Sequence, residues 1–164
     1  MDALEAIKTR HSTRIFTDRK IPKDVLEKII DAGGRAPTAR NEQPWAFVVV
    51  TDPATVKKIG ETTDHGKFIS QASACVCVFC RDTKYYLEDG CAATENILLA
   101  AAALGVQSCW VAGDKKDYCA DIARLLGVPP DQKLISLLAL GYAKSPEGPK
   151  AKRPTSETLR WEKW

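Results

Sequence analysis

LEDGCAATENILLAAAAL, residues 87–104, reads as one long helix that stops at Gly105. From Ile97 onward the run ILLAAAAL is apolar almost all the way round. Such a helix must be covered over most of its circumference, and a chain of 164 residues has little material for that. A subunit interface is its natural home. Ala92, Ala93 and Ala100 to Ala103 would let a second helix approach closely.

Strand patterns flank this helix on both sides. ASACVCVFC at 72–80 predicts a buried strand before it, with Cys75 and Cys77 facing one way and Cys80 the other. QSCWVA at 107–112 predicts a strand after it. Further out, WAFVVVT at 45–51 reads as a buried strand and LISLLALGY at 134–142 as a fourth. Asp52-Pro53 is a cap and first turn for a helix carrying Val56 and Ile59. Asp114 is expected to open a helix with Ile122, Leu125 and Leu126, ended by Gly127. Near the start, Asp2 caps a short helix whose inner face is expected to be Ala3, Leu4 and Ile7. Pro22 begins another, striped by Val25, Leu26, Ile29 and Ile30 and stopped at Gly33. Residues 34–44 are loop-like. The fold class is α+β, a mixed sheet with helices packed on it. Residues 1–142 form the domain. Residues 143–164 form an extended tail with Pro146, Pro149 and Pro154 that ends in LRWEKW, and Trp161 and Trp164 imply that it docks on something.

Composition narrows the function. Apolar residues make up 45%, enough for a core without staples. Lysine plus arginine number 24 against 21 acidic residues, a net +3 that does not by itself suggest nucleic acid. The most apolar stretch, Ile97 to Leu104, is far below the ~20 residues a bilayer needs. The first ten residues show no signal-peptide pattern, so the expected location is cytoplasmic and no membrane partner is expected. Six cysteines in a reducing compartment read as small buried hydrophobes, with no metal site expected.

Four clusters carry chemistry. Arg10-His11-Ser12-Thr13-Arg14 places two guanidiniums and two hydroxyls in five residues, which suits a phosphate, although an exposed basic turn has the same composition. Pro37-Thr38-Ala39-Arg40-Asn41-Glu42-Gln43-Pro44-Trp45 offers amide donors and acceptors suited to a heteroaromatic edge, or is a plain capped loop. Val111-Ala112-Gly113 is a strand end with exposed backbone, or a simple turn. Lys152-Arg153 adds a second cationic pair from the tail. There is no GxGxxG or GxxxxGKS/T nucleotide fingerprint, no HExxH and no nucleophile elbow. A cofactor that brings its own chemistry is easier to accommodate than an acid–base hydrolase.

Together the clusters resemble the nitroreductase family of FMN enzymes from Ile7 to about Trp161. RHSTRIF at 10–16 is similar to the family's Arg-Arg-Ser-x-Arg-x-Phe, and PTARNEQPW at 37–45 to its Pro-Ser-x-x-Asn-x-Gln-Pro-Trp. Asp89 through Gly105, Gln107 to Trp110 and Leu140 to Tyr142 follow in the family's order. The resemblance implies a mainly antiparallel α+β homodimer with FMN at the interface. Arg10, His11, Ser12 and Arg14 would hold its phosphate, joined by Lys152 or Arg153. Asn41, with Gln43 beside it, would bond the flavin edge. Pro37, Thr38 and Ala39 would come from the partner subunit. The Val111–Gly113 backbone would approach flavin N5, and the tail would wrap the other subunit. It also implies hydride transfer from NAD(P)H to a small oxidant such as a quinone or nitroaromatic, with no side chain assigned as catalytic acid or base. The rival is a flavin-binding or redox-sensing protein with little turnover. Two departures stand out. His11 replaces the second Arg, and Arg81 to Glu88 leaves no room for the helical lid of larger members.

Overall fold

The computed structural model describes residues 1–145 and 148–164. Pro146 of the tail lies outside the described residues. The elements are α1 (Ala3–Thr9), α2 (Lys23–Gly33), β1 (Trp45–Val50), α3 (Pro53–Thr62), β2 (Ala74–Arg81), α4 (Tyr86–Ala103), β3 (Gln107–Ala112), α5 (Cys119–Leu125), β4 (Gln132–Gly141) and α6 (Thr155–Thr158). The sheet order is β1-β2-β4-β3 and every one of these pairings is antiparallel. The parallel component is a single bridge from Ser12 to Ser108 at the outer edge of β3.

Strands β2 and β4 occupy the centre and are buried on both faces. Period-two alternation divides β2 between two cores. Cys75, Cys77 and Phe79 pack with Val56, Ile59, Ile69 and Ile122 under α3 and α5. Val76, Val78 and Cys80 pack with Leu26, Ile29, Ile97 and Leu98 under α2 and α4. The cysteines therefore divide as the alternation predicts. Ser136 of β4 lies opposite Val78, and a bulge just beyond it shifts the register so that Phe79 faces Leu134. The buried Ser136 hydroxyl is satisfied by Thr94 of α4 at 2.8 Å. Each fully buried Ile, Leu or Phe contributes about 1.5–3 kcal/mol of burial.

Three local expectations change. Leu4 and Ile7 of α1 are 68% and 55% exposed, and Ala6 is the buried residue of that helix. Helical spacing puts an apolar stripe on one face, but spacing alone does not say whether that face meets the core or something outside the chain. Strand β1 is an edge strand rather than a buried one, with Ala46 and Val49 exposed. Asp114 does not open a helix. Its carboxylate accepts from Tyr86 Oη at 3.0 Å, and α5 starts five residues later with Leu125 exposed. A 3-10 turn at Lys67–Gln71, invisible to periodicity, packs on α3 where Gly60 makes room: a Cβ there would sit 2.7 Å from Ser70 N.

α4 ends as expected. Gly105 takes φ +76° and Val106 N donates back to Ala101 O. Within the chain α4 buries Ala93, Ile97, Leu98 and Ala101, while Ala103 and Leu104 stay exposed.

Gly113 closes β3 for a packing reason. A Cβ there would lie 2.7 Å from Ile135 C and 2.8 Å from Ile135 O, backbone atoms of a central strand that cannot yield. Gly113→Ala is expected to cost about 1–3 kcal/mol in urea unfolding. Gly148→Ala, with nothing near its Cβ, should stay within about 0.5 kcal/mol of native.

Candidate active site

The segment after α1 is held between two neighbours. Thr13 N donates to Ser108 O of β3 at 2.9 Å, and Lys144 N at the root of the tail donates to Ile15 O at 3.1 Å. Thr17 N donates to Tyr142 O at 2.8 Å, beside the Phe16–Ala143 bridge. Thr13 and Phe16 turn inward and are buried, while Ser12 and Arg14 face out. Gly141 admits the Phe16 ring, which would lie 2.7 Å from any Cβ at that position. This lacing brings the two ends of the chain together.

The result is a cavity of 560 Å³ lined by Arg10, His11, Ser12 and Arg14 from one end and Gly148, Pro149, Lys150 and Lys152 from the other. Among the described residues, four cations and a hydroxyl line it, and none of these lining residues is acidic. Glu95 of α4 reaches Arg10 from outside the lining, at 3.7 Å. Lys150, which the motifs did not single out, stands in the lining where Arg153 does not. The geometry suits a phosphate monoester. His11 Nδ1 is 2.9 Å from Thr9 O and donates to it, and Nε2 is buried without a partner among the described residues. The ring thus forms wall rather than offering a free donor to the cavity.

Arg14 also lines a second cavity of 210 Å³, with His65, Phe68, Trp110, Val111, Ala112, Lys116 and Tyr118. Its guanidinium lies 5.7 Å from the Phe68 ring centroid. The floor is the open edge of β3. Gly113 N donates to Ile135 O, so antiparallel alternation turns Val111 and Gly113 toward β4, and Trp110 and Ala112 toward the open edge. The Ala112 carbonyl accepts from Tyr118 Oη. The Ala112 N–H is the group of the Val111–Gly113 stretch that faces outward. Burial pushes the Tyr118 phenol up to about 12, helped by Cys119 and Asp64. Burial also raises the Cys109 thiol, against the pull of Arg14, Ser12 and Arg10. His65, Phe68, Lys116 and Tyr118 carry no linear motif; only the folding of the 3-10 turn and α5 toward β3 brings them here.

The 37–43 loop lies elsewhere in the same chain, and none of its residues lines either cavity. It packs near the start of α4, where Ala39 N donates to Asp89 Oδ1 at 3.1 Å, whereas Arg10 meets Glu95. Those two helix positions are about 9 Å apart along the axis. Arg40, Asn41 and Gln43 take φ of 56°, 57° and 46°. Left-handed backbone at a residue with a Cβ costs on the order of 1 kcal/mol each, and strain of this kind clusters at functional loops. Gln43 N donates to Thr38 Oγ1 at 3.2 Å, Gln43 Nε2 to Asn41 Oδ1 at 2.9 Å, and Arg81 Nη2 to Glu42 O at 3.2 Å. These bonds leave the Asn41 amide nitrogen and the Gln43 amide oxygen exposed as a donor beside an acceptor.

A cavity of 690 Å³ between α2 and β1, lined by Ile21, Leu26, Ile30 and Val49, is larger but holds none of these groups. Among the described residues no group of three or more His, Cys, Asp or Glu side chains is placed to hold a metal ion, and no helix is long and apolar enough to cross a membrane.

The nitroreductase family model matches residues 7–74 and 81–142. The chain belongs to the nitroreductase family. It is 40% identical over 151 residues to a candidate NADH dehydrogenase/NAD(P)H nitroreductase of Archaeoglobus fulgidus, covering 87% of this chain and 86% of that one. The crystal structure of a candidate NADH dehydrogenase/NAD(P)H nitroreductase from Bacteroides thetaiotaomicron superposes with a TM-score of 0.94 at 26% identity, covering 99% and 98% of the two chains. A nitroreductase from Bacteroides fragilis crystallised with bound FMN superposes at 0.83 and 26% identity, covering 99% of this chain and all of that one. The nitroreductase fold is therefore established for this chain. Its loop 82–85 joins β2 directly to α4.

The weakened acidity of the Tyr118 phenol has a consequence for stability. Below about pH 10 the folded and unfolded chains both hold the Tyr118 proton. Above that the unfolded chain releases it while the folded chain holds it to about 12. Folding stability is therefore expected to fall as pH rises from about 10 to about 12. Denaturant titrations should show a shallower fall for Tyr118→Phe.

Proposed function

We propose that this chain is an FMN-dependent oxidoreductase that uses NAD(P)H to reduce a small oxidant and acts as a homodimer. The observation that carries the proposal is the convergence of Arg10, Arg14, Lys150 and Lys152 on one cavity that Arg14 joins to the open edge of β3. A cofactor with a phosphate at one end and a heteroaromatic ring at the other fits this pair of sites. The FMN bound by the Bacteroides fragilis relative is such a molecule.

Each end has its donors. Arg10, Ser12, Arg14 and Lys152 would hold the phosphate, with Lys150 beside them and Arg153 on the exposed tail within a few residues. The Ala112 N–H would meet the ring edge near N5, between the committed N–H groups of Val111 and Gly113. The Asn41 amide nitrogen and Gln43 amide oxygen offer a donor and an acceptor that match an imide edge. Because Pro37, Thr38, Ala39, Asn41 and Gln43 line neither cavity of their own chain, their contribution would be to the partner's cofactor. When bound, FMN would supply the redox chemistry, a hydride transfer from NAD(P)H by way of flavin N5 to an acceptor such as a nitroaromatic or quinone. The protein's part is to hold the phosphate with cations and to orient the ring, and no side chain is assigned as a catalytic acid or base.

Apolar surface supports the dimer. Leu4 and Ile7 of α1 and Leu104 at the end of α4 are 68%, 55% and 44% exposed, and Ile15 in the segment after α1 is 49% exposed. The tail carries Leu159, Trp161 and Trp164, also exposed. Large apolar side chains gathered this way mark an interface, and a second copy would cover both α1 and the wrapping tail.

FMN-reconstituted protein is expected to oxidise NADH or NADPH with a quinone or nitroaromatic acceptor in steady-state assays. Stoichiometric flavin without nicotinamide consumption would instead identify a flavin-binding protein. Arg10→Ala combined with Arg14→Ala should purify without flavin, read from visible absorbance; retained stoichiometric FMN would refute the phosphate assignment. Leu4→Lys with Ile7→Lys should convert a dimer to a monomer in sedimentation analysis.

A further inference from the structure

Asp89 is the buried charge that the assigned site leaves unused. It lies in the first turn of α4 and is 5% exposed. A carboxylate so deeply buried is costly unless something needs it, and the first turn of a helix is where a negative charge is best tolerated. Oδ1 takes the Ala39 N–H at 3.1 Å, and Oδ2 is buried with no partner. Among the described residues, the one hydrogen bond of the carboxylate therefore comes from a loop fifty residues earlier in the chain.

That bond falls at a decisive place. Ala39 is the first residue of the turn in which Arg40 and Asn41 are left-handed, and Thr38 just before it is still extended, with φ −133° and ψ 154°. Anchoring Ala39 N fixes where the extended chain ends and the turn begins. From that point the remaining bonds follow outward: Thr38 Oγ1 holds Gln43 N, and Gln43 Nε2 holds Asn41 Oδ1. A buried, rigid anchor on α4 thus sets the aim of two exposed amides. Gly90 is what lets this turn of α4 sit so close to the sheet: a Cβ on it would lie 2.6 Å from Ile135 and 3.0 Å from Cys80 Sγ.

We propose that Asp89 is a positioning residue for the flavin ring, acting through the Ala39 N–H to pre-set the 37–43 loop that presents Asn41 and Gln43. The inference rests on the assignment of that loop to FMN. Asp89 lines neither cavity of the site and would act only through the loop. It lowers the ordering cost of binding by holding a strained loop in its bound shape.

The test compares Asp89→Ala, Asp89→Asn and Asn41→Ala in the full-length protein, reading FMN dissociation by fluorescence, the visible spectrum of bound flavin and thermal unfolding. Asp89→Ala is expected to bind FMN roughly tenfold more weakly, as for a lost buried acceptor, and to shift the bound-flavin spectrum. Asp89→Asn keeps an oxygen for Ala39 N and should restore affinity and spectrum to near native. A merely structural carboxylate would change thermal unfolding and leave the spectrum of bound flavin unmoved. If Asn41→Ala weakens FMN but Asp89→Ala binds natively, or Asp89→Asn fails to restore binding, the inference is overturned while the loop assignment stands. If Asn41→Ala binds FMN as the native protein does, the loop assignment itself falls and takes the inference with it. Should Asp89→Ala not fold, Ala39→Pro deletes the same hydrogen bond from the donor side, where the extended Thr38 tolerates a following proline. Native FMN affinity and spectrum in that variant would equally overturn the proposal.

Discussion

The lacing of residues 12–16 between β3 and the root of the tail is the constraint on which the functional part of this protein depends. Two backbone bonds, Thr13 N to Ser108 O and Lys144 N to Ile15 O, pull opposite ends of the chain to one place. Four cations would repel one another there without a counter-charge. What holds them is not their own chemistry but the neutral backbone beneath them and the Phe16 ring seated on Gly141. Among the described residues the cavity carries more positive charge than Glu95, which meets Arg10, can offset, and an anion of the right size relieves it.

The same economy governs the other side of the site. β3 commits alternate backbone groups to β4 and turns the rest outward, so an edge strand supplies directed N–H groups with no special residue. Gly113 had the look of a glycine kept for a ligand. Its Cβ position is filled by Ile135 backbone instead, so the glycine serves the sheet and the neighbouring Ala112 faces the open edge. The 37–43 loop works differently. It stores backbone strain at Arg40, Asn41 and Gln43 and is tied to the buried Asp89 and to Arg81, which makes it rigid enough to present two amides.

Much of the architecture was legible along the chain because the signals are local. Alternation separated Cys75 and Cys77 from Cys80, Asp52-Pro53 opened α3, and Gly105 ended α4 in a left-handed turn. Local signals failed where a face had two possible covers. The stripe of Leu4 and Ile7 faces outward, and helical spacing reports only that an apolar face exists. β1 lies at an edge, and a run of apolar residues does not say whether a strand is central. Asp114 caps no helix, and its pairing with Tyr86, twenty-eight residues away, leaves no trace in sequence.

The sequence by itself determined the four strands, the helices α1 to α4, the buried β2, the clusters at residues 10–14 and 37–45, and the family. These depend on spacing, capping and residue chemistry within a few positions. Only the tertiary structure decided that Lys150 rather than Arg153 lines the cationic cavity, that His11 spends its donor on Thr9, that Ala112 is the outward backbone group, and that Asp89 anchors the 37–43 loop. Each of those outcomes depends on which groups remain unpaired once strands and helices have taken their partners, and that balance exists only when segments far apart in the chain compete for the same hydrogen bonds.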